Sequence, residues 1–276
     1  MTHARSDHRG AELDFTGRVA VVTGGVRGIG RGIAEAFLAA GAEVVVCGRT
    51  GATGDQLPAA AGEDGTRRRA VFVTADVRDP EQAGSLIAAA TDRFGRLDVL
   101  VNNAGGSPDA DAATASPRFS AAVVALNLLA PLYCAQPANA VMQTQDTGGA
   151  IVNIASVSGL RPSPGTAAYG AAKAGLINLT QTLAVEWAPK VRVNCVSAGL
   201  VATEAADAHY GGPAELAAVA ATVPLGRFGT PTDLAGVCLF LASPTLAGYV
   251  SGANLVAHGG GEWPAFLRHR GGGPAV

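Results

Sequence analysis

Charge of one sign is what this chain most clearly lacks. Its 276 residues carry 20 Lys and Arg against 22 Asp and Glu, a net charge of −2, and charged residues make up only 15% of the whole. With no basic excess, neither nucleic acid nor an anionic membrane is an expected partner. Cysteines are few and scattered: Cys47, Cys134, Cys195 and Cys238, with no Cys-x-x-Cys pair. That argues against a zinc site and a disulfide frame, and for a reducing compartment. No metal site is expected; His3 and His8 read as solvated tail residues. The first ten residues are polar and lack the apolar stretch of a signal peptide, so a cytoplasmic location is expected. Uninterrupted apolar spans are missing too. Residues 119–145 are uncharged but contain Asn127, Pro131, Gln136, Pro137 and Asn139, and residues 234–261 are broken by Pro244 and repeated Gly. Both read as buried helix and strand rather than membrane spans.

What is present is apolar material, 48% of the residues, enough to bury a large core. It falls into alternating short and long blocks. Strands are expected at 18–23, 43–48, 68–76, 97–102, 150–155, 191–197 and 254–257. Helices are expected at 31–40, 80–94, 119–141, 167–188 and 231–241. Continuously apolar strands alternating with helices predict an α/β fold, a doubly wound parallel sheet with helices on both faces. Residues 12–267 read as one domain, with flexible tails at 1–11 and 268–276. Segments 50–66, 105–118 and 203–223 read as loops, the first with room for a short helix and the last with short helices at 204–210 and 214–221. Residues 263–267 read as a packing segment.

Two stretches carry chemistry. Thr23-Gly24-x-x-x-Gly28-x-Gly30 follows a strand and opens a helix. Glycines there let a pyrophosphate approach the backbone, and the helix start supplies amide donors. At the end of the second strand, an acid would bind a ribose 2′-hydroxyl and repel a 2′-phosphate. Here the run is Gly48-Arg49-Thr50, and Arg27 lies inside the glycine turn. Two guanidiniums able to converge on one phosphate point to NADP(H) rather than NAD(H). The second stretch is Ser156 to Lys173. Tyr169 and Lys173 are spaced to share a helix face, and Ser156 ends a strand. A lysine cation beside a phenol lowers a pKa of about 10, which suits proton exchange with an alcohol or carbonyl oxygen.

Together these motifs resemble the short-chain dehydrogenase/reductase family. Asp76 and Val77 follow the third strand as the family's adenine-side acid and its neighbour do. Asn102-Asn103-Ala104-Gly105 matches its Asn-Asn-Ala-Gly motif. Asn127 matches the helix asparagine that completes the active site with Ser156, Tyr169 and Lys173. Gly199, Val201 and Thr203 fall in its segment after strand six, with Thr203 as the threonine that meets the cofactor's carboxamide end. Residues 224–231 and 249–252 also match, so the resemblance covers roughly residues 12–262. Two departures stand out: Ala198 replaces the family's usual proline before Gly199, and His258 replaces its usual aspartate before Gly259.

The resemblance implies a Rossmann-type fold and a cofactor site of Thr23, Gly24, Arg27, Gly28, Ile29, Gly30, Arg49, Asp76, Val77, Asn103, Ala104, Gly105, Tyr169, Lys173, Gly199, Val201 and Thr203. It implies that Ser156 donates to a carbonyl oxygen and Tyr169 exchanges its proton. Lys173 lowers the phenol pKa and holds ribose hydroxyls, and Asn127 fixes a relay water. It also implies a dimer or tetramer. The expected activity is NADPH-dependent reduction of a ketone, a 3-oxoacyl thioester among the candidates. An alcohol dehydrogenase working oxidatively is the alternative, and a non-catalytic NADP(H)-binding regulator the remote one. Pocket walls are expected from 106–118, 158–164 and 203–223, with Arg161, His209 and Tyr210 as polar candidates.

Overall fold

The structure, a computed structural model, describes residues 13–62, 65–204 and 210–264. Both expected tails, with His3 and His8, lie outside the described residues, as do His209, most of the expected 204–210 helix and the end of the 263–267 segment.

Seven strands form one parallel sheet. In chain order they are β1 (Val19–Thr23), β2 (Glu43–Gly48), β5 (Val71–Thr74), β6 (Val99–Asn102), β7 (Gly149–Ser156), β8 (Val191–Ala198) and β9 (Asn254–Ala257). Their spatial order is β5-β2-β1-β6-β7-β8-β9. The chain therefore reverses direction across the sheet between β1 and β6. In such a sheet the crevice outside the carboxyl ends at the reversal is where ligands bind.

The expected 68–76 strand divides in two. Strands β3 (Ala59–Ala61) and β4 (Arg67–Arg69) form a small antiparallel hairpin, and only β5 joins the sheet. Successive Arg67, Arg68 and Arg69 cannot enter the buried sheet interior that Val71 and Val73 approach. The 50–66 loop is thus more ordered than expected, with a 3-10 turn at Gly54–Gln56 followed by the hairpin.

Helices cover both faces. On one, α1 (Gly28–Ala39) and α7 (Pro231–Ala242) bury Ile33, Phe37, Leu38, Leu234 and Leu241 in a cluster with Ala20 and Val22 of β1. On the other, α2 (Pro80–Phe94) and α4 (Ala130–Thr144) bury Leu86, Ile87, Cys134 and Met142. Helices α2 and α7 have sequence-encoded starts. Asp79 accepts from the amides of Glu81 and Gln82 before Pro80, and Thr230 forms a capping box with Asp233 around Pro231. Helix α1 has no side-chain cap. A missing cap costs about 1 kcal/mol, whereas each large apolar side chain fully buried contributes roughly 1.5–3 kcal/mol. Ile33, Phe37 and Leu38 therefore hold α1 in place without one.

The expected 119–141 helix is longer and irregular. It comprises α3 (Pro117–Val124), a π turn (Ala125–Leu129) and α4. By length and mean hydropathy, 1.5 in its most apolar stretch, it could cross a membrane. Here Cys134, Ala135, Ala138 and Met142 pack into the core beside the sheet. The catalytic-stretch helix, α5 (Ala167–Glu186), packs on β7, β8 and the π turn. A further helix, α6 (Pro213–Ala220), falls on the expected 214–221 segment. All four cysteines are free and buried.

Candidate active site

The glycine turn sits at the carboxyl end of β1, facing the end of β6. Thr23 is 2% exposed, and its hydroxyl accepts from the amides of Asn103 and Ala104, each at 3.0 Å. The Asn103 side chain returns the contact, donating to the carbonyls of Thr23 at 2.9 Å and Gly24 at 3.3 Å. Thr23 and Asn103 thus clamp the two loops together, and their side chains are engaged with backbone. Gly30 is needed for this approach. A Cβ there would fall 2.4 Å from both Asn103 Nδ2 and the Gly24 carbonyl. Thr203 reaches the same turn, its Cγ2 lying 3.4 Å from a Cβ placed on Gly28. Val201 bridges to Gly229 and Gly199 packs on the Cα of His258, so both serve through backbone position.

Two departures from the family pattern are neighbours. Ala198 pairs with Ala257 across β8 and β9, and the Gly199 amide donates to the Ala257 carbonyl at 2.9 Å. The altered residues, Ala198 and His258, therefore meet at one strand end.

Arg27 and Arg49 are both exposed, and their side chains make no hydrogen bond or ion pair among the described residues. Asp76 behaves differently from expectation. Arg78 grips its carboxylate with Nε at 2.9 Å and 3.1 Å and with Nη2 as well. These bonds hold the Asp76 carboxyl below its ordinary pKa, with Arg49 adding a smaller attraction. Val77 turns its side chain into the core, leaving its backbone for any ligand. Ile29 likewise packs against the core.

Ser156 ends β7, and its hydroxyl accepts from the Ser158 amide at 3.1 Å. In the first turn of α5, Tyr169 lies within hydrogen-bonding reach of Ser156. Lys173 is 3% exposed, donates to the Ile154 carbonyl at 2.7 Å and stands 5.5 Å from the centre of the Tyr169 ring. Burial pushes the Lys173 ammonium down to about 8. The expected lowering of the phenol is not found. Burial raises the Tyr169 pKa and outweighs the opposing hydrogen bond from Ser156, while Tyr210 nearby adds to the rise. A buried lysine whose own charge is disfavoured gives the phenol little relief. At neutral pH the pair is a protonated phenol beside a charged ammonium.

Asn127, fully buried at the centre of the π turn, is the fourth member of the set. Its Oδ1 accepts from the Gly106 amide, and its Nδ2 donates to the carbonyls of Gly106 and Val123, all at 2.9 Å. The side chain thereby ties the loop after β6 to its own helix. A π turn widens one helical turn and frequently marks a functional site. Gly105 lies between the parts: a Cβ there would be 2.8 Å from Asn127 Oδ1 and 3.2 Å from Lys173 Nζ. Behind them runs a buried string in which Asn102 donates to Asn153 and Asn153 to Thr180, both at 2.9 Å, tying β6 and β7 to α5.

Around the mouth, Arg161 pairs with Glu262, and both act electrostatically on Tyr210, as does Asp109. Tyr210 also packs on Phe228, with ring centres 5.2 Å apart. The 158–163 loop lines an open recess of about 410 Å3 with the first turns of α5. Trp263 donates its amide to the Thr222 carbonyl, fastening the segment after β9 to the end of α6. Sequence reasoning does not single out Arg78, Glu204, Glu262 or the Asn153–Thr180 pair. Arg78 has a readable signal, standing two residues from an expected acid. The others depend on contacts between distant segments.

The crevice fits a dinucleotide. It has a glycine-rich turn at a helix start, amides not capped by the helix's own sequence, and beside it two arginines whose side chains make no hydrogen bond or ion pair among the described residues. Known proteins agree in outline. A family model described as enoyl-(acyl carrier protein) reductase matches residues 24–262. A 3-oxoacyl-[acyl-carrier-protein] reductase of Synechocystis sp. is 37% identical over 248 residues, 89% of this chain and 97% of its own. The L-rhamnose 1-dehydrogenase (NAD(P)(+)) of Azotobacter vinelandii is 36% identical over 252 residues, 88% and 96% of the two chains. Among solved structures, the ligand-free aldohexose dehydrogenase of Thermoplasma acidophilum superposes with a TM-score of 0.79 at 27% identity, covering 96% of this chain and 97% of that one.

Proposed function

The chain belongs to the short-chain dehydrogenase/reductase family, and we propose that within it this protein is an NADPH-dependent reductase that takes a ketone to a secondary alcohol. It is an NAD(P)-dependent oxidoreductase acting on CH–OH or C=O groups. The finer reading rests above all on one arrangement: the Ser156 hydroxyl and Tyr169 phenol side by side over a buried Lys173.

The bound nicotinamide supplies and accepts hydride. Everything else falls to this chain. Ser156 donates a hydrogen bond to the substrate carbonyl oxygen and orients it. Tyr169 gives that oxygen its proton. At neutral pH the phenol is protonated, the state a proton donor to that oxygen needs. Lys173 keeps a positive charge near the phenol as proton density leaves it, and would hold ribose hydroxyls of the cofactor. Asn127 positions the Gly105–Gly106 loop against Lys173. We also propose that Asn127 has its expected role, fixing a relay water beside Lys173.

Preference for NADP(H) follows from Arg27 and Arg49. Arg78 neutralises Asp76, so the nearest carboxylate does not claim Arg49. Residues Gly24, Gly28, Ile29, Gly30, Ala104, Gly199, Val201 and Thr203 would line the dinucleotide mainly with backbone, and Thr23 and Asn103 would brace it.

A second reading, oxidation of a polyol or sugar, draws support from the relative named as a rhamnose dehydrogenase and from the charged mouth formed by Arg161, Glu262 and Tyr210. Initial rates with NADPH across ketones, ketoesters and aldoses, and with NADP+ across the matching alcohols, test the proposal. Faster turnover of ketones with NADPH supports it. Turnover confined to sugars with the oxidised cofactor would replace it with the second reading.

A further inference from the structure

Helix α1 begins without anionic help from its own sequence. Its N-cap residue Arg27 makes no side-chain cap, and its first turn contains no acid. The amides at its start are the donors a pyrophosphate would draw on. One of them is already engaged. The Gly28 amide donates to Glu204 Oε2 at 3.1 Å, across 176 residues of chain. Glu204 comes from the segment after β8, directly following Thr203, whose methyl group lies against the same glycine. The side chain is exposed and has no cation within ion-pair distance among the described residues. Its contact with the glycine turn is therefore not the by-product of another pairing.

Resting on the reading of this crevice as a dinucleotide site, we propose that Glu204 is an internal competitor for the cofactor's pyrophosphate. Its carboxylate takes the Gly28 amide and the positive end of α1. The phosphates must displace it to bind, because two anions cannot share one donor without strong repulsion. Glu204 thereby weakens dinucleotide affinity and favours release. It also couples the crevice to the chain after β8. When Glu204 leaves Gly28, the adjoining Thr203 is freed to move toward the dinucleotide. An exposed carboxylate at a helix start and its repulsion of a nearby phosphate are worth about threefold to tenfold in binding.

The test uses the full chain as wild type, Glu204→Gln and Glu204→Ala. NADPH affinity is measured by fluorescence titration, and 2′-AMP affinity by calorimetry. The second ligand carries the adenine end and the 2′-phosphate but no pyrophosphate. Both variants are expected to bind NADPH about threefold to tenfold more tightly than wild type, with 2′-AMP unchanged. Equal or weaker NADPH binding in the variants would overturn the proposal, and so would equal tightening of both ligands. Wild-type protein that binds neither NADPH nor NADH would overturn the dinucleotide reading itself, and is told apart by the wild-type titration alone.

Discussion

Asn127 holds both backbone groups of Gly106, its Oδ1 accepting from the amide and its Nδ2 donating to the carbonyl, each at 2.9 Å. This two-way grip joins the π turn of the long helix to the loop that closes β6. Through Gly105 it also sets the floor beneath Lys173. Replacing Asn127 by Ala removes its bonds to the Gly106 amide and carbonyl and to the Val123 carbonyl, each worth about 0.5–1.5 kcal/mol. The variant is expected to lose about 2 kcal/mol of stability in urea denaturation and at least about tenfold in turnover. Unchanged values for both would show that the grip is incidental.

Gly105 offers a finer probe of the same floor. A methyl group there meets Asn127 Oδ1 at 2.8 Å and Lys173 Nζ at 3.2 Å. Gly105→Ala is expected to reduce turnover by about tenfold or more and to cost about 1–3 kcal/mol of stability as the Asn127 grip is displaced. Gly84, inside α2, has nothing within 4 Å of a Cβ, so Gly84→Ala should raise stability by about 0.5–1 kcal/mol and leave turnover alone. Paired thermal melts and steady-state rates compare the two.

Lys173 carries a pH signature with a definite sign. Burial lowers its pKa from 10.5 to about 8. Between those values the unfolded chain binds more protons than the folded one, so stability rises with pH across that window. Below pH 8 the folded state bears the cost of a buried charge. Wild-type protein is expected to gain stability between about pH 8 and 10, measured by denaturant midpoint, relative to Lys173→Met. The same ammonium supports the phenol, so reductive turnover should fall as pH rises through about 8. Parallel stability curves for the two proteins would contradict this.

Arg78 grips Asp76, and Arg49 acts more weakly on the same carboxylate. Arg49→Ala should weaken NADPH binding about tenfold to a hundredfold, the worth of one charge-assisted hydrogen bond, and leave NADH nearly unchanged. Arg78→Ala should also weaken NADPH, because it releases the Asp76 carboxylate toward Arg49. Titration of both nucleotides checks the pair. Equal effects on NADPH and NADH would mean that neither arginine serves the 2′-phosphate.

Much of this site is legible in the sequence. The alternation of apolar strands and helices suffices for the sheet, and α2 and β9 fall at the expected residues. The glycine turn and the Ser156, Tyr169 and Lys173 set are legible because their spacing is local. The π turn is not, since nothing in Ala125–Leu129 alters the helical pattern. It arises from packing against α5 and the Asn127 bonds. Splitting of the third strand has one trace in the sequence, three successive arginines that a buried sheet rejects. The signs of the pKa shifts are not written there either. Spacing places a lysine beside a phenol, but burial decides which of the two is perturbed. Contacts such as Glu204 with Gly28 join segments whose proximity only the fold creates.

The most direct test of the account is Tyr169→Phe, which removes one oxygen and preserves the ring. NADPH affinity and turnover of the best ketone are measured on the same preparation. NADPH should bind within about threefold of wild type while turnover falls by about three orders of magnitude or more, the loss expected of a proton donor, the role proposed for the phenol. Turnover comparable to wild type, with cofactor binding intact, would contradict the account.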